Sequence, residues 1–387
     1  MSDTGADTRS PVEGAGSRRS DPAKGAALCL SGGGYRAMLF HVGALWRLNE
    51  VGRLRTLERV SSVSGGSITA GVLGQNWARL DFGDDGVATA FEEQLVEPVR
   101  KLASTRLDVP AVLTGLVSPG SIGSKVADRY DKHLFEGRTL QDLPADGEGP
   151  RFVINATNVA TGTLWRFSRP YMADWSIGLV RDPTVPLSVA VAASSAFPPV
   201  LSPVTLEVEE DAYESERSAP PNAHLRGKKI TLSDGGVYDN LGLETAWKRY
   251  RTILVSDGGG VLPVKEKPAR DWLRHTVRVL SVIDRQVRSL RKRQIIDGFE
   301  QGDRDGAFWG IHSSVADFRL ADPLPVDPDR AKELAGTPTR LTKFKGSLQE
   351  ELINWGYAVT DTALRRWVEP DAPRPEQLPY PKRRIDR

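Results

Sequence analysis

The chain has 387 residues, 39% of them hydrophobic and 26% charged, with a formal net charge of only +2. That length supports one large or two ordinary domains with a real core, and the charge balance supplies no global field for nucleic acid, which is not expected as a partner. The single cysteine, Cys29, excludes an intrachain disulfide and a four-cysteine metal site, and it suits a reducing, cytoplasmic setting.

Residues 1–25 are polar, lack the apolar core of a secretory signal and read as a disordered leader. No later run approaches the roughly 20 apolar residues that span a bilayer, so any membrane contact is expected to be peripheral. "AALCL" reads as a short buried strand, followed by "SGGG" and by Met38, Val42, Leu45, Trp46 and Leu48 at helical spacing. "LERVSSVS" has the β-branched content of a second strand, and "GGSITAGVLGQNWARL" continues as a helix of small residues. Residues 84–135 are expected to be helical and irregular, with a break at "VSPGSIGS". "RFVINATNVATGTLWRFS" reads as a strand pair, and "VPLSVAVAASSAFPPVLSPV" as a helix stopped by Pro198 and Pro199. "KKITLSDGG" and "YRTILVSDGGG" are strands flanking the helical "GLETAWKRY". This alternation predicts an α/β fold with a largely parallel sheet. A long basic helix over 270–296 and a second late helix at "SLQEELINWGYAVTDTALRRWV" precede a proline-rich, basic tail that reads as loose. No strong linker divides the chain.

Three stretches could carry chemistry. Ser64 lies in "SSVSGGS", a strand-to-helix turn of small residues that would push its Oγ into the open. The pattern approaches G-x-S-x-G, with Ser62 in place of the first glycine and Gly66 in the last position. A serine N-cap would look the same. Gly32, Gly33 and Gly34 join a strand to a helix, where backbone N–H groups can hold an anion or a developing alkoxide. Gly32, Gly34 and Ala37 also fit the dinucleotide pattern G-x-G-x-x-A. That pattern expects an acidic residue closing the second strand, whereas Glu50 falls within the helix and the strand ends near Ser64.

Asp234, in "LSDGGVYDNLG", ends an apolar strand and precedes two glycines, which keep its carboxylate accessible. It could accept a serine proton directly if its surroundings raise its proton affinity. Asp257 in "LVSDGGG" repeats the pattern, but leads into a glycine and proline loop rather than a helix. Ser64, Asp234 and His275 would follow the chain order of an α/β-hydrolase triad, yet none of the five histidines has a catalytic-turn setting. Only His41 is near a motif.

Together these stretches resemble the patatin-like phospholipase family, bacterial type, over most of the chain. "SGGGYRA" is similar to its oxyanion loop, "SVSGGS" to its serine motif and "SDGG" to its aspartate motif. "ASSAFPPVLSPV" and "INWGYAVTDTALRRW" resemble its proline-ended helix and its closing helix. The resemblance implies a three-layer α/β/α sandwich over 26–368, with a catalytic core at 26–262 and a helical part at 263–368, before the tail at 369–387. It implies a Ser–Asp dyad of Ser64 and Asp234 and an oxyanion hole from Gly32, Gly33, Gly34 and Gly65. Arg36, Gly66, Gly235 and Gly236 would support these motifs. Ser31 stands where many members carry aspartate, Ala37 where the loop motif ends in glycine, and Ser62 where the serine motif begins with glycine.

The expected activity is hydrolysis of a phospholipid or lysophospholipid ester, with no cofactor and no metal. The alternatives are a weakly catalytic lipid-binding or interaction module on the same fold, and a nucleotide-dependent oxidoreductase. The basic residues between Arg274 and Arg293 could face anionic headgroups, though charged helix faces are usually just solvated.

Overall fold

The computed structural model describes residues 22–105, 121–198, 201–215, 219–262 and 264–386. In chain order, β1 (Ala23–Leu30), α1 (Gly34–Glu50), β2 (Leu57–Ser62) and α2 (Gly65–Gln75) are followed by α3 (Glu97–Ala103) and α4 (Ser121–Tyr130). Then come β3 (Arg151–Asn158), β4 (Thr163–Phe167), β5 (Tyr171–Asp174), β6 (Gly178–Arg181), α5 (Leu187–Ser194), β7 (Val204–Leu206) and β8 (Ile230–Asp234). The last part comprises α6 (Gly236–Asp239), α7 (Glu244–Trp247), β9 (Tyr250–Asp257), α8 (Trp272–Glu300), β10 (Asp305–Gly310), α9 (Pro328–Ala335) and α10 (Gly346–Trp367).

The strand order is β10-β9-β1-β2-β3-β4-β5-β6, with β8 also paired to β3 and β7 to β8. The five strands from β10 to β3 are mutually parallel, and β4 to β8 add antiparallel pairings. Both faces of the parallel half are covered, as parallel strands require. Leu28, Leu30 and Leu254 face the larger core under α1, α2 and α10. Ala27, Cys29, Ile253 and Val255 alternate onto the other face, against Leu243, Ala246 and Ile295 of the α7 and α8 layer. The result is the α/β/α sandwich.

Backbone approach is closest between α1 and α10. A Cβ on Gly43 would overlap the Ile353 carbonyl, and one on Gly356 would overlap the Phe40 carbonyl. Neither oxygen can yield without moving a helix. Gly356→Ala should therefore lose stability despite gaining about 1 kcal/mol of helix propensity, because overpacking costs about 1–3 kcal/mol or more. A urea midpoint at or above that of the unaltered protein would contradict this packing.

Of the expected leader, residues 1–21 lie outside the described residues, and Ala23–Gly25 already belong to β1. Part of "VSPGSIGS" also lies outside them. The basic tail is not loose. Asn354 Nδ2 donates to the carbonyls of Tyr380 and Arg383 at 2.9 and 2.8 Å, Ile385 is buried, and Tyr380 packs edge-on against Trp46. Leu378, Tyr380 and Ile385, three apolar side chains among prolines and arginines, pack against the core and anchor the segment. Among the described residues, no helix is long and apolar enough to cross a membrane.

Candidate active site

The sheet topology brings Ser64 and Asp234 together. Strands β2 and β8 share one edge of β3: Ser62 lies beside Ile154, and Asp234 lies beside Ala156, two residues further along. The chain leaving β2 therefore meets the end of β8.

Ser64 has φ 52° and ψ −118° and immediately precedes α2. A non-glycine residue in the left-handed half of φ space costs about 1–3 kcal/mol and persists only where neighbours enforce it. Here they do. The Ser64 N–H donates to Ser194 Oγ at 2.9 Å, and that hydroxyl donates to the Asn155 carbonyl at 2.6 Å. Ser67 Oγ lies 2.9 Å from Ser194 Oγ and donates to Ser62 Oγ at 2.9 Å. The following helix fits only because its first residues lack side chains. A Cβ on Gly65 would strike the Gly34 carbonyl, and one on Gly66 the Leu30 carbonyl.

The glycine loop is held just as tightly. Gly33 has φ +146° and Gly34 has φ +61°, and a Cβ on Gly34 would come within 2.9 Å of the Arg340 carbonyl. The Gly32 N–H donates to the Asn240 carbonyl at 3.1 Å. Among the described residues, the N–H groups of Gly33, Gly34 and Gly65 have no hydrogen-bond acceptor. They stay available beside the serine. Arg36, buried on α1, fixes the loop from behind: Nε donates to the Gly258 carbonyl at 3.1 Å and Nη1 to that of Thr337 at 2.5 Å. Burial and the neighbouring Arg288 lower its pKa to about 10, so it stays charged at neutral pH.

Asp234 is buried, and burial pushes its carboxyl up to about 7. The Gly236 N–H, donating to Oδ1 at 2.7 Å, and the Ser64 hydroxyl pull it back in part. Asp284 adds a smaller upward push. Gly235 and Gly236 keep this turn compact, since a Cβ on Gly235 would overlap the Asn155 carbonyl.

Asp257 has the opposite character. Burial works to raise its carboxyl, but Arg288 at 2.9 Å, the Gly259 N–H and the Ser31 hydroxyl outweigh it and hold the carboxyl below its ordinary range. It is half of an ion pair. Ser31 Oγ also accepts from the Gly258 N–H at 2.8 Å, so the residue standing in place of aspartate ties the glycine loop to the end of β9.

His41 is fully buried between Ser256 Oγ and the Ser31 carbonyl, each at 2.9 Å. A carbonyl can only accept, so Nε2 carries the proton and Nδ1 accepts from Ser256. Burial lowers its pKa to about 4, which keeps it neutral. It braces the loop. His275 lies on the exposed start of α8. Glu50, the acidic residue nearest to the dinucleotide spacing, is bound by Tyr357 and Arg47 at the end of α1. It does not close β2.

Sequence reasoning passed over Asn240, Ser194 and Asn155. Asn240 had a usable signal, lying within "DGGVYDNLG" and joining the aspartate turn to the glycine loop. Ser64, Asp234 and the three loop glycines line one cavity of about 880 Å³, whose walls include Phe197, Leu201 and Leu341. The hydroxyl of a strained serine, a raised carboxyl and N–H donors without acceptors thus meet at a largely apolar chamber. That arrangement suits acyl transfer from an ester with a greasy acyl group.

The family model for patatin-like phospholipase matches residues 28–247. Among solved structures, human GIVD cytosolic phospholipase A2, in complex with methyl gamma-linolenyl fluorophosphonate inhibitor and terbium chloride, is similar to this chain. The two share 14% identity at a TM-score of 0.50, over 88% of this chain and 57% of that one. A second structure of the human enzyme gives 12% identity and a TM-score of 0.49, over 88% and 61%. The likeness at a TM-score of 0.50 bears on the fold alone, and the chain spans about three-fifths of the length of these solved chains. A search of the curated proteins finds no match.

Proposed function

The chain belongs to the patatin-like phospholipase family, and from that premise we propose that it hydrolyses lipid acyl esters with Ser64 as nucleophile and Asp234 as proton acceptor. Ser64 Oγ attacks the ester carbonyl carbon while its proton passes to the Asp234 carboxylate. The N–H groups of Gly33, Gly34 and Gly65 receive the negative charge that forms on the carbonyl oxygen, each worth roughly 3 kcal/mol of barrier by analogy with known oxyanion holes. Collapse expels the alcohol, which takes the proton from Asp234. Water then attacks the acyl-serine, giving its proton to Asp234. Release of the fatty acid returns that proton to Ser64. No imidazole is needed.

The observation that carries this reading is the pairing of a strained serine hydroxyl with a buried carboxyl raised to about 7. Arg36 and Gly66 serve as supports of the loop and the turn. The catalytic unit would span residues 26–368, working in the cytoplasm and reaching lipid by peripheral contact.

A fluorophosphonate probe tests the assignment, and the human phospholipase named above is itself complexed with a fluorophosphonate. The probe should label Ser64, and the adduct should vanish in Ser64→Ala. The sign of the pH dependence follows from Asp234. Its carboxylate is the active form, so the labelling rate should rise with pH and reach half its maximum near pH 7. The same raised pKa means that the folded protein holds this proton more tightly than the unfolded chain does. The group's contribution to stability therefore declines as pH rises from about 4 to about 7. A labelling rate flat from pH 5 to pH 9, or an adduct on another residue, would reject the dyad.

A further inference from the structure

The first three turns of α8 stand clear of the body. From Trp272 to Leu280 no described side chain of the helix is buried, whereas Ile295 near its other end is fully buried. The projecting part is unusually apolar for an exposed element: Trp272 is 78% exposed, and Leu280 and Ile283 are each 54% exposed. Exposed apolar clusters of this kind mark contact surfaces.

The surface adjoins the cavity. Ser281, Asp284 and Arg285 of α8 line it, and Val277 stands one turn before Ser281 on the same face. Phe197 and Val261, about half exposed, also line it.

The charge is as uneven as the polarity. Between Lys265 and Arg293 there are ten cations and three anions. Arg288 and Arg291 are engaged inward with Asp257 and Glu244, leaving most of the others on the outer faces. An isologous contact with a second copy would set these like-charged helices against each other. An anionic surface with an apolar interior satisfies both features.

We propose that the projecting half of α8, with the cavity rim at Phe197 and Val261, docks on an anionic lipid bilayer. The proposal rests on the lipid-hydrolase reading for its purpose, but not for its test. Insertion of Trp272, Leu280 and Ile283 among the acyl chains would bring the cavity mouth to the headgroup level. A lipid could then enter without crossing water.

Binding is measured by co-sedimentation in the Ser64→Ala background, so that hydrolysis plays no part. Vesicles of equal parts phosphatidylcholine and phosphatidylglycerol are compared with vesicles of phosphatidylcholine alone. The expected result is binding to the mixed vesicles that is at least about tenfold weaker on the neutral ones and weakens with salt. Trp272→Ser/Leu280→Ser/Ile283→Ser and Arg274→Glu/Arg278→Glu should each reduce it by at least about tenfold while remaining folded by circular dichroism. Equal affinity for both vesicles, or variants that bind like the parent, would overturn the proposal. So would a dimer in light scattering that the triple variant dissolves while vesicle binding is absent. Failure of Ser64 to react with a fluorophosphonate would leave the vesicle result untouched, so the two readings fail separately.

Discussion

Ser64→Ala should lose turnover on a short-chain acyl ester by a factor on the order of 10⁴ or more, since removing the nucleophile of a unit disables all of it. The loss should be in kcat, because the cavity walls that hold the acyl group are unaltered. Stability should barely change, for alanine inherits the same positive φ and the N–H bond to Ser194. Ser64→Gly separates the two roles of this position. Glycine adopts φ 52° without the steric cost, so it relieves about 1–3 kcal/mol of strain while making the unfolded chain looser by up to about 1 kcal/mol. The glycine variant is thus expected to be as inactive as alanine and at least as stable as the parent. Turnover in either variant within tenfold of the parent would remove Ser64 from the chemistry.

The same strain explains why this part of the site was legible in the sequence. Turns that need glycine, or that force a serine into an unusual conformation, leave their mark on adjacent residues. Gly33, Gly34, Gly65 and Gly66 each answer to a backbone atom that would collide with a side chain, and Gly32 to the Asn240 side chain. Strands β9, β1, β2 and β3 of the parallel half were equally readable, because strands buried on both faces are continuous apolar runs separated by helices. The edge strand β10, which opens on the polar Asp305 and Gly306, was not anticipated. Nor were strands β5, β6 and β7. At four, four and three residues they are too short to show a period, and they pair only because β4 and β8 present edges to them.

The supporting hydroxyls were invisible for a different reason. Ser194 lies 130 residues from Ser64 and Asn155 lies 39 from Ser194, so nothing local marks either as a partner. The tail misled through composition. Prolines and arginines signal an extended, solvated chain, yet Leu378, Tyr380 and Ile385 pack on the core while Asn354 binds its backbone. A few apolar side chains can outweigh a polar average.

The two aspartates carry the sharpest test of that limit, since "SDGG" occurs twice and only the surroundings differ. At Asp234 the carboxyl is buried without a cation and remains basic enough to accept a proton near neutral pH. At Asp257, Arg288 supplies the counter-charge from 31 residues further along the chain. Asp234→Asn keeps the size and the Gly236 hydrogen bond but removes the base, so kcat should fall on the order of 10³-fold or more. Stability should hold or improve slightly, because the asparagine has no charge to desolvate. Asp257→Asn should do the reverse. It leaves Arg288 buried without its partner, which costs about 3–5 kcal/mol when a buried pair is broken from one side. The pair's side chains are 16% and 14% exposed, and that limited contact with solvent places the expected cost toward the lower end. Its kcat should remain within about tenfold of the parent, a difference of roughly 1.4 kcal/mol in barrier. Thermal unfolding and single-turnover rates on both variants give the comparison directly. A stable, inactive Asp257→Asn beside an unstable, active Asp234→Asn would exchange the roles of the two turns.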